Sequence, residues 1–301
     1  MTDTTTRPTR ALVLGGGGVA GIAWESGLLI GLMEAGVDLE AADLVVGTSA
    51  GSSVGVMLRH GLLTTEHLQE VLAASEAVEE RTNDDAGLPQ TEGSQSYSST
   101  AFADAKLDAT RGVTEEQDVR AKLGEWGRAR PVDLPEETWV AQIAARLPRD
   151  WPEGRLAITA VNAADGSFHT FGAQDGVELA RAVAASCTLP TVFPLVTIDG
   201  DPYMDGGMRS ATNADAAAGH DRVLVVACSD EGAASPFGPV LAQAAERMRN
   251  ESSDVFTIEA DAASRTAFGP NVLDPASIEP SFLAGLAQAQ AVAADVVAFW
   301  G

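Results

Sequence analysis

The stretch "LVLGGGGVAG", residues 12–21, runs an apolar strand straight into four consecutive glycines, with the spacing G-x-G-x-x-G at Gly16, Gly18 and Gly21. A strand that ends in glycines and opens a helix lays bare backbone N–H groups at a helix N-terminus, where partial positive charge gathers. Such a loop can hold a nucleotide's phosphates or the oxygen of a reacting carbonyl. The neighbouring sequence has to separate the two.

After the glycines, "GIAWESGLLIGLMEAG" reads as a helix ending at Gly36, and "DLVVG" (residues 43–47) as a second buried strand. "SAGSSVGVMLRHG" follows as a helix with its stop at Gly61. The order strand, helix, strand, helix predicts an α/β fold: a mostly parallel central sheet with helices on both faces. A dinucleotide-binding unit also needs an acidic residue at the end of the second strand, roughly 20 residues on, to hold a ribose hydroxyl. Here that strand ends in Gly47-Thr48-Ser49-Ala50-Gly51 instead.

G-x-S-x-G after a strand and before a helix is the pattern of a sharp turn that thrusts a serine out, with small neighbours that let backbone and substrate approach. Ser49 is the candidate nucleophile, and Gly47 and Gly51 flank it. In a parallel sheet both loops open at the carboxyl edge, so the amides of Gly16, Gly17 and Gly18 become candidate donors to an oxyanion formed at Ser49.

Further along, apolar spacing marks a helix over residues 64–80, and residues 81–111 are polar and Ser/Thr/Asp-rich. The expectation is one domain over residues 1–301 with a flexible insertion at about 81–113. Two helices, the strands "RLAITAVNA" and "SFHTFG", and the helix "VELARAVAASC" come next, then a turn-rich stretch up to Gly207. The strand "RVLVVACSD", a helix over 239–250, the strand "DVFTIEA" and a helix over 281–299 complete the chain. On that last helix, Phe282, Leu283, Leu286, Val292, Val296 and Trp300 either line an acyl pocket or dock on the sheet, and docking is the default.

Two later segments carry a resemblance. "YMDGGMRSATNADAA" contains Asp205-Gly206-Gly207, and "ARAVAASCTLPTVFP" has S-x-x-x-P-x-x-F-P at Ser186, Pro190, Phe193 and Pro194. With the glycine loop and G-x-S-x-G before them, the chain resembles the patatin-like phospholipases, serine lipases and esterases with a D-G-G or D-G-A aspartate. The resemblance implies a three-layer α/β domain, a catalytic Ser49–Asp205 dyad, no metal or organic cofactor, and a lipid or other acyl-ester substrate. That family often carries Arg or Lys two residues after its glycines; this chain has Ala20.

A triad would need a histidine base, and of His60, His67, His169 and His220 only His220 follows Asp205. It lies in the turn "AAAGHDR" and is expected to be a surface residue; Asn213 is expected to cap a helix and Arg209 to be a surface charge. Cys187 and Cys228 stand in apolar surroundings without metal-ligand spacing, which predicts two reduced thiols.

The net charge of −24, with Lys106 and Lys122 the only lysines, repels nucleic acid and anionic headgroups. Any membrane contact is expected to be peripheral and apolar or locally basic. No apolar run reads as a span, and the polar start lacks a secretory pattern, so a cytoplasmic location is expected. Two other classes remain on the sequence: a dinucleotide-binding oxidoreductase, and a non-catalytic binding protein on the same fold.

Overall fold

The structure, a computed structural model, describes residues 7–66 and 99–301. β1 (Arg10–Leu14) leads into α1 (Gly18–Glu34), and β2 (Leu44–Gly47) into α2 (Ala50–Arg59). After α3 (Ser99–Ala109), α4 (Glu116–Arg128) and α5 (Glu136–Ala144) come β3 (Leu156–Asn162), β4 (Phe168–Phe171) and α6 (Leu179–Ser186). The hairpin β5 (Val196–Ile198) and β6 (Asp201–Asp205) precedes β7 (Arg222–Ala227), α7 (Leu241–Asn250), β8 (Asp254–Glu259), α8 (Ala262–Phe268) and α9 (Ile278–Trp300).

Among the described residues the strands form one eight-stranded sheet in the order β5-β6-β3-β2-β1-β7-β8, with β4 paired to β3. β3, β2, β1, β7 and β8 run parallel; β4 and β6 lie antiparallel to β3, and β5 antiparallel to β6. The sheet is mixed with a parallel centre, as the alternation of elements predicted. Successive β1 residues explain its unbroken hydrophobicity. Leu12 and Leu14 pack with α1, α2, α6 and α9 on one face, while Ala11 and Val13 pack with Leu241, Ala244 and Met248 of α7 on the other. A strand covered on both faces reads as a continuous apolar run.

α1 and α9 touch backbone to backbone. A Cβ on Gly27 would fall 2.2 Å from the Phe282 carbonyl oxygen, one on Gly285 would fall 2.2 Å from that of Trp24, and one on Gly31 would meet the Ala289 Cβ at 2.6 Å. Gly285→Ala is therefore expected to push the helices apart and destabilise the fold by roughly 1–3 kcal/mol, the usual range for overpacking a tight interior. Urea unfolding would show this as a lowered midpoint with an unchanged slope.

Several expectations need correction. The turn-rich stretch holds the hairpin β5–β6, whose strands are short; Pro202, the second residue of β6, pairs with Thr197 of β5 and accepts from the Ala163 amide through its carbonyl. Of the expected insertion, residues 81–98 lie outside the described residues, but Ser99–Ala109 is a helix. Ala105 and Ala109 are buried with Val119, Leu123 and Met204. Small alanines making the contact left no large-apolar signal. The helix expected over 64–80 lies mostly outside the described residues.

The apolar residues of α9 pack against α1 and into the core that covers this face of the sheet: Val296 and Trp300 are buried, and Phe282, Leu286 and Val292 pack against the main core. Leu283 does neither and is 55% exposed. Contrary to the sequence reading, Pro275–Trp300 is long and apolar enough to cross a membrane by length and composition, with mean hydropathy 1.5 in its most apolar window. Its alanines supply that average without any conspicuous run of large residues.

Candidate active site

The turn at Ser49 is built from close backbone approaches. A Cβ on Gly51 would lie 2.2 Å from the Leu14 carbonyl oxygen and one on Gly47 would lie 2.6 Å from the Gly51 oxygen, so both flanking positions require glycine. The Gly51 amide donates to Gly15 O at 2.9 Å, tying the turn to the glycine loop. Ser49 itself has φ 52° and ψ −116°, a conformation that costs a non-glycine residue on the order of 1–3 kcal/mol. The Ser49 amide donates to Ser186 Oγ at 2.9 Å. Ser186 is the fully buried last residue of α6.

Asp205 ends β6, opposite Ala160 of β3. It is 2% exposed, and burial raises its pKa to about 7. Two donors act the other way: the Gly207 amide at 2.7 Å from Oδ1, and the Ser49 hydroxyl. The Asp205 amide donates to Thr188 O at 2.9 Å, which fixes the strand end against the segment after α6. The structure thus brings Ser49 and Asp205 together from sequence positions far apart.

The glycine loop lies beside them. Gly16 is the nearest of its glycines to Ser49, with a Cβ position 3.4 Å from that of the serine. Its amide, however, donates to Ala211 O at 2.8 Å. The expectation of three free donors therefore reduces to the amides of Gly17 and Gly18, which have no acceptor among the described residues. Gly18 adopts φ +62°, and a side chain there would meet Val272 O at 2.8 Å. The same carbonyl accepts from Ala20 N at 3.0 Å, so backbone contact holds the loop where relatives often carry a cation.

Beneath the loop sits a floor of buried side chains. A Cβ on Gly17 would fall 2.6 Å from Cys228 Sγ, and that thiol donates to Glu25 Oε1 at 3.7 Å. Glu25 is completely buried, and desolvation holds its pKa well above the carboxylate range. Burial likewise raises the Cys228 thiol, and Cys187 is raised to about 12 by desolvation and the nearby Asp205 charge. Both cysteines are free thiols and neither is primed as a thiolate nucleophile.

Asn213 and Arg209 differ from expectation. Asn213 is fully buried at φ 48°; it makes no side-chain cap bond, and its amide donates to Gly206 O, Ser210 O and Thr48 Oγ1 at 3.1, 2.8 and 3.2 Å. Arg209 is only 12% exposed, paired with Asp215 at 2.6 Å and lying over the Phe168 ring. His220 Nδ1 is 2.9 Å from Ala217 O, and His60 Nε2 is 3.1 Å from Asp150 O. Neither they nor His169 has a hydrogen bond to Ser49 or Asp205; His67 lies outside the described residues.

Sequence reading missed Glu25, the support that Ser186 gives the Ser49 amide, and the buried pair Thr48–Thr159, whose hydroxyls are 2.8 Å apart. Glu25 had one visible signal: it is the only charge between Gly15 and Met33. Thr159 had none, because a threonine inside a strand looks like ordinary β-propensity.

These elements define an α/β protein whose glycine loop, strand-to-helix serine turn and buried aspartate meet at one sheet edge. The family profile for patatin-like phospholipase matches residues 12–218. The chain belongs to the patatin-like phospholipase family, a family of lipid acyl hydrolases. No curated protein matches the chain. Among solved structures, the type III effector protein ExoU aligns over 97% of this chain and 53% of its own, with 17% identity and a TM-score of 0.41. The structure of full-length SpcU in complex with full-length ExoU, from the type III secretion system of Pseudomonas aeruginosa, aligns over 92% and 53%, with 17% identity and a TM-score of 0.31. The chain spans about half the length of these matched chains.

Proposed function

We propose that the chain is a serine hydrolase of lipid acyl esters with a Ser49–Asp205 dyad. The observation that carries this reading is the buried Asp205 carboxyl, raised to about 7 and facing the hydroxyl of a strained serine turn. As Ser49 Oγ attacks the ester carbonyl, its proton passes to the Asp205 carboxylate. The carbonyl oxygen becomes an oxyanion that the Gly17 and Gly18 amides are free to bind. Collapse expels the alkoxide, which takes the proton from Asp205 and leaves an acyl-Ser49. Water then attacks the acyl-enzyme, giving its proton to Asp205, and departure of Ser49 Oγ with that proton frees the fatty acid.

A carboxylate of ordinary pKa, about 3.9, is a poor base for a hydroxyl, and moving it towards neutrality increases its basicity. The dinucleotide reading has no such support, since the second strand ends at Gly47 and leads into Ser49 rather than into an acid that could hold a ribose. Contact with a lipid surface is proposed as peripheral, made from the cytoplasmic side.

The test is fluorophosphonate labelling of the wild type, together with hydrolysis of a nitrophenyl ester series and of phospholipid vesicles. Labelling at Ser49, turnover rising with pH through about 7, and a His220→Ala variant within twofold of wild type are expected. A wild type that neither labels nor turns over any ester sinks the proposal.

A further inference from the structure

We infer that the turn at residues 210–213 is the positioning hub of the site, with Asn213 as its key and Glu231 as its anchor. The inference rests on the Ser49–Asp205 reading and extends it to residues that touch no reacting atom. This one short segment bonds to all three catalytic pieces. Ala211 O accepts from the Gly16 amide of the glycine loop at 2.8 Å. Thr212 O accepts from Thr48 Oγ1, beside the nucleophile, at 3.3 Å. Asn213 Nδ2 reaches Gly206 O, beside Asp205, at 3.1 Å and Thr48 Oγ1 at 3.2 Å, so one amide spans the nucleophile and acid turns.

The hub is itself held. Asn213 Oδ1 accepts from Arg209, whose guanidinium is fixed by Asp215. Glu231 accepts from the Thr212 amide and hydroxyl, both at 2.7 Å, from Ser210 Oγ, and from the Leu241 amide at 2.8 Å. Its carboxylate thereby pins the turn to the start of α7. Thr212 and Asn213 are fully buried, so water cannot replace a bond that is lost. Asn213 also sits in the left-handed region, which asparagine tolerates better than most residues. The side chain is needed for its donors, and its backbone conformation would suit aspartate equally well.

That distinction sets the experiment. Asn213→Asp keeps size and backbone tolerance but turns the donor into an acceptor facing the Gly206 and Ser210 carbonyls. Asn213→Ala removes it, and Glu231→Gln loosens the anchor while keeping its shape. Each is compared with wild type for kcat and KM on a nitrophenyl ester, for fluorophosphonate labelling rate, and for folding by circular dichroism. Because misplacement by about 1 Å costs on the order of 100-fold, the Asn213 variants are expected to lose about 100-fold in kcat and in labelling rate with KM within threefold. Glu231→Gln is expected to lose about tenfold in the same pattern. Should an Asn213 variant fail to fold, Glu231→Gln decides. Folded variants with wild-type kcat and labelling, or with changes in KM alone, overturn the hub while leaving the dyad standing. A wild type that neither labels nor turns over overturns both.

Discussion

Asp205→Asn is expected to lose ester turnover by roughly 10²- to 10⁴-fold, the span of a general base, and at the same time to make the protein more stable above neutral pH. The two effects share one cause. Asp205 is buried, and its folded pKa of about 7 lies above the value of about 3.9 expected for the unfolded chain. Between those values the native state binds more protons than the unfolded state, so this group lowers stability as pH rises from about 4 to about 7. Below that window the carboxyl is neutral in both states and costs nothing; above it the full penalty stands, at most about 4 kcal/mol. Asparagine keeps an oxygen for the Gly207 amide and carries no charge. Urea unfolding of both proteins at pH 4 and pH 8 should show a gain for the variant at pH 8 that shrinks at pH 4. An equal effect at both values would mean that Asp205 is not a desolvated base.

Ser49→Ala and Ser49→Gly should both fall in turnover by at least roughly 10⁴-fold and lose fluorophosphonate labelling. Their stabilities should part company. At φ 52° and ψ −116° alanine is as strained as serine, whereas glycine adopts this region freely, so the glycine variant should exceed the alanine variant by about 1 kcal/mol. Thermal melts at one pH suffice to compare them. Equal melting temperatures would count against stored strain at the turn, and residual labelling of either variant would place the nucleophile elsewhere. The gain from glycine would identify the serine hydroxyl as the reason a costly backbone conformation is kept.

The parallel centre of the sheet was legible because β1, β2 and β7 are covered on both faces and read as unbroken apolar runs followed by turns. Ser49 and Asp205 stood out because glycines mark the backbone conformations around them. The support was not legible. Asn213 looked like a cap because its asparagine precedes a short helical turn, yet its side chain points away from that turn and into the interior. Gly16 looked like a free donor because its partner, Ala211 O, belongs to a residue almost 200 positions away that any amino acid could supply. Glu25 went unread because nothing in its helix sequence shows that it is completely buried, where desolvation raises its pKa. Backbone carbonyls and desolvated side chains leave little imprint on composition, so the residues proposed to react are easier to read than the residues that hold them.

The close seam between α1 and α9 has a consequence for how the chain is made. Trp24 is bonded to Ser264 and Gln288, partners 240 and 264 positions later, and Ala20 of the glycine loop waits for Val272. Contacts of such separation form only after long loops have closed, and topologies rich in them fold slowly. On the ribosome, α1 emerges well before α9, with its apolar residues exposed and its glycines unbraced until that helix arrives. Such a nascent chain would expose the surface on which chaperones act. The loop proposed to bind the oxyanion is synthesised well before Val272, whose carbonyl braces it.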